Sequence, residues 1–156
     1  MTIQNSIASL FRYSFRSEPS GIAAIQGDAS SRQYFRVSSA GSSLIACHDP
    51  VFNAATQAGY TFLLLHGILS RHGLPVPALI AIDAEQGLLF LEDCGDLLLQ
   101  NLFASPDKTT ISDCYREIID LLIQFQSIRG NDKEVPFCLS FDREKLMFEF
   151  DFFIEH

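Results

Sequence analysis

Arg32 and Arg36 stand four positions apart in a segment, 32–37, that reads as a β-strand. An even spacing along a strand puts both side chains on one face. Guanidinium groups so placed can take phosphate oxygens in bidentate fashion; the alternative is a pair of solvated charges on a strand edge. Directly before them runs Gly27-Asp28-Ala29-Ser30-Ser31. A hairpin turn that closes over phosphates needs small residues so that backbone N–H groups can point at the oxygens, and Gly27, Ala29, Ser30 and Ser31 meet that need. An ordinary polar turn would use the same residues. Of the two arginines Arg36 is the stronger candidate, because it follows the aromatic pair Tyr34-Phe35.

Other chemistries are less well served. Cys47, Cys94, Cys114 and Cys138 lie far apart, without the close pairs of a zinc site or redox motif, and read as reduced thiols of a cytoplasmic protein. His48-Asp49 followed by Asn53 looks like a His-x-Asp catalytic loop, but His adjoins Asp and Asn comes four residues after the acid, at the end of a strand. His66, His72 and His156 have no spaced partners, and there is no Gly-x-x-x-x-Gly-Lys-Ser/Thr loop. Nineteen acids against 11 bases leave a net charge of −8, the wrong sign for holding nucleic acid or an anionic membrane by counterion release. The amino terminus has no basic run before an apolar stretch, and no apolar run reaches membrane-spanning length. The expectation is a cytoplasmic protein with neither nucleic acid nor membrane as partner.

The elements that must position these residues follow from periodicity. The chain has 156 residues, 47% hydrophobic with 14 Phe, enough for a real core. Ile3, Ile7, Leu10, Phe11 and Phe15 predict an amphipathic helix over 3–16. Segments 22–26, 32–37 and 43–47 predict a three-stranded meander. A helix over 54–72, with Ala58, Phe62, Leu65 and Leu69 on one face, stops at Gly73, and Pro75 and Pro77 prevent its continuation. Two buried strands, 78–82 and 87–92, form a hairpin around 83–86. A short helix over 97–103, a longer one over 112–128 and a last one capped by Asp142 complete the chain. In that last helix Leu146, Phe150 and Phe153 share one face while Phe148 and Phe152 occupy another. Apolar residues over most of a helix circumference predict burial between layers, here against another copy of the chain or against another lobe of an intact protein. The fold expected is α+β: an N-terminal helix in 1–20, a five-stranded antiparallel sheet with one long helix in 21–96, and a helical segment in 97–156.

The series of short motifs carries a resemblance. Gly27-Asp28-Ala29-Ser30-Ser31-Arg32-Gln33-Tyr34-Phe35-Arg36, then Gly73-Leu74-Pro75-Val76-Pro77, then Leu89-Phe90-Leu91-Glu92-Asp93-Cys94-Gly95-Asp96, then Phe141-Asp142-Arg143-Glu144-Lys145-Leu146 resemble, in order, segments of the aminoglycoside phosphotransferase and choline kinase family, in its bacterial cell-wall amino-sugar kinase branch. That resemblance implies a protein-kinase-like small lobe, with ATP and Mg2+ as cofactors and a small-molecule acceptor hydroxyl of amino-sugar or aminoglycoside type. It implies that Gly27 to Arg36 cradle phosphates. It also implies that Glu92, Asp93 and Cys94 form the linker whose backbone groups meet adenine, although a hairpin exit with helix-capping acids would read alike.

Two departures matter. The third strand, Leu44-Ile45-Ala46-Cys47-His48, has none of the lysine that protein kinases place there, and 54–72 contains no acid to pair with one. Phosphate neutralisation would then fall to arginine and metal. The catalytic Asp and the metal-binding Asn and Asp of in-line phosphoryl transfer are also not found, so the resemblance implies that they belong to a following lobe and that this chain alone is inactive. The alternative from a different class is a non-catalytic binding or assembly module that uses the apolar last helix to self-associate.

Overall fold

The computed structural model describes residues 2–26, 31–104, 108–140 and 142–155. Its elements in chain order are α1 (Ile3–Phe15), β1 (Gly21–Ile25), β2 (Gln33–Ser39), β3 (Ser42–His48), α2 (Thr61–Arg71), β4 (Leu79–Asp83), β5 (Leu88–Glu92), α3 (Lys108–Ser127) and α4 (Arg143–Glu155). The strands form one antiparallel sheet in the order β1-β2-β3-β5-β4. The α+β architecture expected from the sequence is therefore present: an N-terminal helix, a five-stranded antiparallel sheet and then helices, as in a kinase-like small lobe.

Period-two alternation decides which face each side chain serves. Phe35 and Val37 of β2, Leu44 and Ala46 of β3, and Leu88 and Phe90 of β5 turn to one face, where Ile7, Leu10 and Phe11 of α1 close over them. Leu89, Leu91 and Cys47 turn to the other face and pack with Phe52, Tyr60, Phe62 and Leu63. All four residues from Leu88 to Leu91 are thus buried, as befits a strand covered on both sides. Full burial of a side chain of this size contributes about 1.5–3 kcal/mol. The N-terminal helix shares its core with the sheet.

The helix predicted over 54–72 is shorter than expected. Asn53 Oδ1 accepts from the Ala55 and Thr56 N–H groups, and Thr56 Oγ1 donates to the Val51 carbonyl. These local bonds compete with helical ones, leaving a 3-10 turn at Gln57–Gly59. Tyr60 is extended, with φ −67 and ψ 112, because its ring turns inward against Phe52, centroids 4.6 Å apart; α2 begins only after it. The segment expected as a short α-helix over 97–103 is a 3-10 helix, Leu99–Ala104, and α3 starts earlier than predicted, at Lys108. Asp142 does cap α4: its Oδ1 accepts from the Lys145 N–H at 2.8 Å. Among the described residues no helix is long and apolar enough to cross a membrane.

Candidate functional site

The face of β2 opposite α1 carries Tyr34 and Arg36. Arg36 lies across from Ile45, and Ile45 in turn across from Leu91, so Arg36 reaches diagonally to the segment just beyond β5. Its Nε donates to Asp93 Oδ2 at 2.7 Å and its Nη2 to Asp93 Oδ1 at 3.1 Å; Nη1 and Nη2 also donate to the two oxygens of Asp96, at 2.9 and 2.8 Å. Ser43 Oγ donates to Asp93 Oδ2 at 2.6 Å and the Gly95 N–H to Asp93 Oδ1 at 3.0 Å. The bonds from Arg36, Ser43 and Gly95 pull the Asp93 carboxyl down to about 2. Asp96 and Asp93 in turn raise the Arg36 guanidinium above its ordinary value. The segment that follows β5 is thereby tied to the middle of the sheet.

Between that segment and the sheet opens a cleft of about 320 Å³, within the size range of small-molecule sites. Ile25, Tyr34, Ile45 and Leu91 give it an apolar floor, Pro77 closes one side, and residues 92–96 form the rim. Cys94 is exposed on that rim. Glu92 faces the neighbouring strand: its N–H donates to the Ala78 carbonyl, and its Oε2 accepts from the Ala78 N–H.

A second constellation sits at the other end of β2. Arg32 Nε donates to Asp49 Oδ2 at 2.9 Å, and the guanidinium lies over the rings of Tyr60 and Phe62, 5.8 and 5.6 Å from their centroids. Asp49, 4% exposed, also accepts from the Tyr60 hydroxyl at 2.5 Å and, through Oδ1, from the Val51 N–H at 3.0 Å. Burial pushes the Asp49 carboxyl up, but the bonds from Tyr60, Val51 and Arg32 outweigh it and leave it below the usual range. Burial and the Asp49 bond raise the Tyr60 phenol well above its ordinary value.

Of the residues singled out from sequence, Gly27, Ala29 and Ser30 lie outside the described residues. Ser31 lines a polar hollow with Arg32, Asp49 and Tyr60. Arg32 and Arg36 do share a face, with Tyr34 between them, but they do not meet, and each has its own carboxylate. Glu92, Asp93 and Cys94 border one cleft together with Arg36. Cys47, on the third strand, is buried, and burial raises its thiol. His48, Asp49 and Asn53 do not act together: Asp49 binds Arg32 and Tyr60, and Asn53 caps a turn. Among the described residues no three His, Cys, Asp or Glu side chains gather to hold a metal ion.

Sequence reasoning weighed Asp49 only as part of a catalytic loop, and passed over Tyr60 and Ser43. A signal for two of them existed in the register. A β2–β3 hairpin that pairs Gln33 with His48 carries Arg32 opposite Asp49, and a β3–β5 pairing of Leu44 with Glu92 carries Ser43 opposite Asp93. Nothing in the pattern marked Tyr60, which lies beyond the predicted end of any strand.

The N-terminal helix, the five-stranded antiparallel sheet and the helices that follow are the architecture of a kinase-like small lobe. No known family profile matches the chain. It is 28% identical over 110 residues to an N-acetylmuramate/N-acetylglucosamine kinase of Pseudomonas aeruginosa, an alignment that takes in 70% of this chain and 31% of that protein. The chain thus spans about a third of the relative's length and is distantly similar to part of an amino-sugar kinase.

Proposed function

We propose that the chain is the nucleotide-binding portion of an ATP-dependent small-molecule phosphotransferase, with an amino-sugar or aminoglycoside-type hydroxyl as acceptor. The observation that carries this reading is the cleft at residues 92–96: an apolar floor for a purine, rimmed by backbone at the place where the sequence resembles a kinase linker. Similarity to an amino-sugar kinase supports the same class. The base would lie on Ile25, Tyr34, Ile45 and Leu91, with the backbone of 92–94 at its edge. Its phosphates would run along β2 toward Ser31 and Arg32. Arg36 holds the linker with every nitrogen of its guanidinium engaged, so its contribution to binding is to keep the cleft formed. Mg2+ would arrive on the nucleotide phosphates, since no all-protein site for it is present among the described residues.

Titration with Mg2+-ATP tests the reading. A ligand that binds only the folded state raises the unfolding midpoint as its concentration rises. ATP, adenosine and an unrelated dianion should raise it in that order, and a midpoint indifferent to ATP at millimolar concentration would end the proposal. The 156 residues contain no His-x-Asp-x-x-x-x-Asn pattern, so no phosphoryl transfer is expected from them alone; turnover by a contaminant-free preparation would contradict this.

A second reading, a binding or assembly module, draws on α4. Phe148, Phe150, Phe153 and Ile154 are more than half exposed, an unusual concentration of large apolar side chains on one short helix. Under this reading sedimentation finds concentration-dependent association that Phe153→Asp abolishes, with no response to ATP.

A further inference from the structure

Asp49 is costly to keep. A carboxylate nearly removed from water loses hydration that only well-made hydrogen bonds return, and a buried ion pair is by itself weak evidence of stabilisation. Here the bonds are complete: Val51 N–H on one oxygen, the Tyr60 hydroxyl and Arg32 Nε on the other. The backbone around the carboxylate is fixed as well. The Asp49 N–H donates to the Gly87 carbonyl at 3.0 Å, and a Cβ on Gly87 would come within 2.8 Å of the Asp49 carbonyl oxygen. The result is an anion held in one place, and its effect is to hold a cation. Among its contacts Arg32 has Asp49 on Nε, Tyr34 beside it and two aromatic rings beneath its plane, and a third of its side chain is exposed. It borders both the polar hollow with Ser31 and an apolar hollow that shares Pro77 with the linker cleft.

Geometry ties this unit to the nucleotide reading, on which the inference rests. Arg32 lies one residue before β2, on the side of the sheet that carries Tyr34 and Arg36 and about 13 Å from Arg36 along the extended chain, so a ligand whose base lies against Tyr34 and Leu91 extends its phosphates toward Arg32. We infer that Asp49 and Tyr60 are positioning residues that fix the Arg32 guanidinium at the phosphate end of the cleft, filling the role left vacant by the strand lysine and helix acid that this chain lacks. An arginine held at its Nε by a rigid carboxylate loses less side-chain freedom when it meets a phosphate.

Calorimetric titration of the full chain with ATP and with adenosine separates this from a structural role. Asp49→Asn keeps the shape but removes the charge; Tyr60→Phe keeps the ring on Phe52 and removes only the hydroxyl, so it carries the test if Asp49→Asn does not fold. Arg32→Ala and Asp49→Asn should each weaken ATP binding about tenfold or more, the size expected for losing a charged hydrogen bond, and Tyr60→Phe should weaken it in the same direction. Adenosine affinity should stay within about twofold throughout, because adenosine has no phosphate for Arg32 to meet. ATP and adenosine weakened alike would show that Asp49 merely supports the fold, and unchanged ATP affinity in the variants would refute the positioning role while leaving the nucleotide reading intact. A wild-type chain that binds neither ligand removes both.

Discussion

At the residue scale, the carboxylates decide the pH response. Asp93 is ordinarily ionised above about 3.8, and in the fold Arg36, Ser43 and the Gly95 N–H hold it down to about 2. A depressed folded value means that the native state binds the proton less readily than the unfolded chain, so this carboxylate adds stability above its ordinary value and loses it as pH falls toward 2. Acid titration of the wild type and of Asp93→Asn, followed by circular dichroism, should show the variant less stable at neutral pH and the gap closing below pH 4. A gap constant from pH 7 to pH 2 would show that the bonds to Asp93 contribute nothing. Arg36→Ala offers a sharper division between two roles. If Arg36 supports the linker, adenosine and ATP should both bind about tenfold more weakly in this variant; a loss confined to ATP would return Arg36 to direct phosphate contact.

At the element scale, the hairpin between β4 and β5 depends on one residue without a side chain. Gly87 has φ +64, where L-residues other than glycine are strained, and an added Cβ would sit 2.8 Å from the Asp49 carbonyl oxygen and 3.1 Å from that of Phe52. Both obstacles are backbone and cannot swing aside. Gly87→Ala should therefore cost about 2 kcal/mol or more in urea denaturation, where Gly41→Ala, strained at φ +86 but with open space around it, should cost less. On the α1 side, Phe90 is fully buried with its ring 6.4 Å from that of Phe11. Phe90→Ala should remove about 3–5 kcal/mol. Because α1 and β5 share that core, far-UV and near-UV signals should be lost in one transition; separate melting of α1 would show that it is an appendage.

For the whole molecule, the division is between a sheet packed on both faces, one of them under α1, and the helices α3 and α4, whose large apolar side chains are mostly exposed. Phe153 is 81% exposed, so nothing in the folded chain depends on its packing. Phe153→Asp should leave the unfolding free energy of the dilute protein within about 0.5 kcal/mol of wild type, in contrast to Phe90→Ala. A large loss from Phe153→Asp in dilute solution would mean that α4 is covered in the folded protein.

The pattern of apolar residues was enough to place α1, all five strands and the Asp142 cap, because strand alternation, helical spacing and turn chemistry are local and are written in consecutive residues. The stretch from Ala54 to Tyr60 read as helix for the same reason, but the local bonds of Asn53 and Thr56 and the turn of Tyr60 toward Phe52 and Asp49 override that pattern. The turn after β5, from Glu92 to Cys94, was visible as a segment, but not its partner, since Arg36 and Asp93 are 57 positions apart and come together only when β3 lies between β2 and β5. Sequence alone placed Arg32 and Arg36 on one face and favoured Arg36 for phosphate only because it follows the aromatic pair Tyr34-Phe35. The tertiary structure separates them by giving each a different carboxylate, one nearly buried beside Tyr60 and one at the cleft rim, because what a charged group can do is set by the dielectric and the partners around it rather than by its place in the chain.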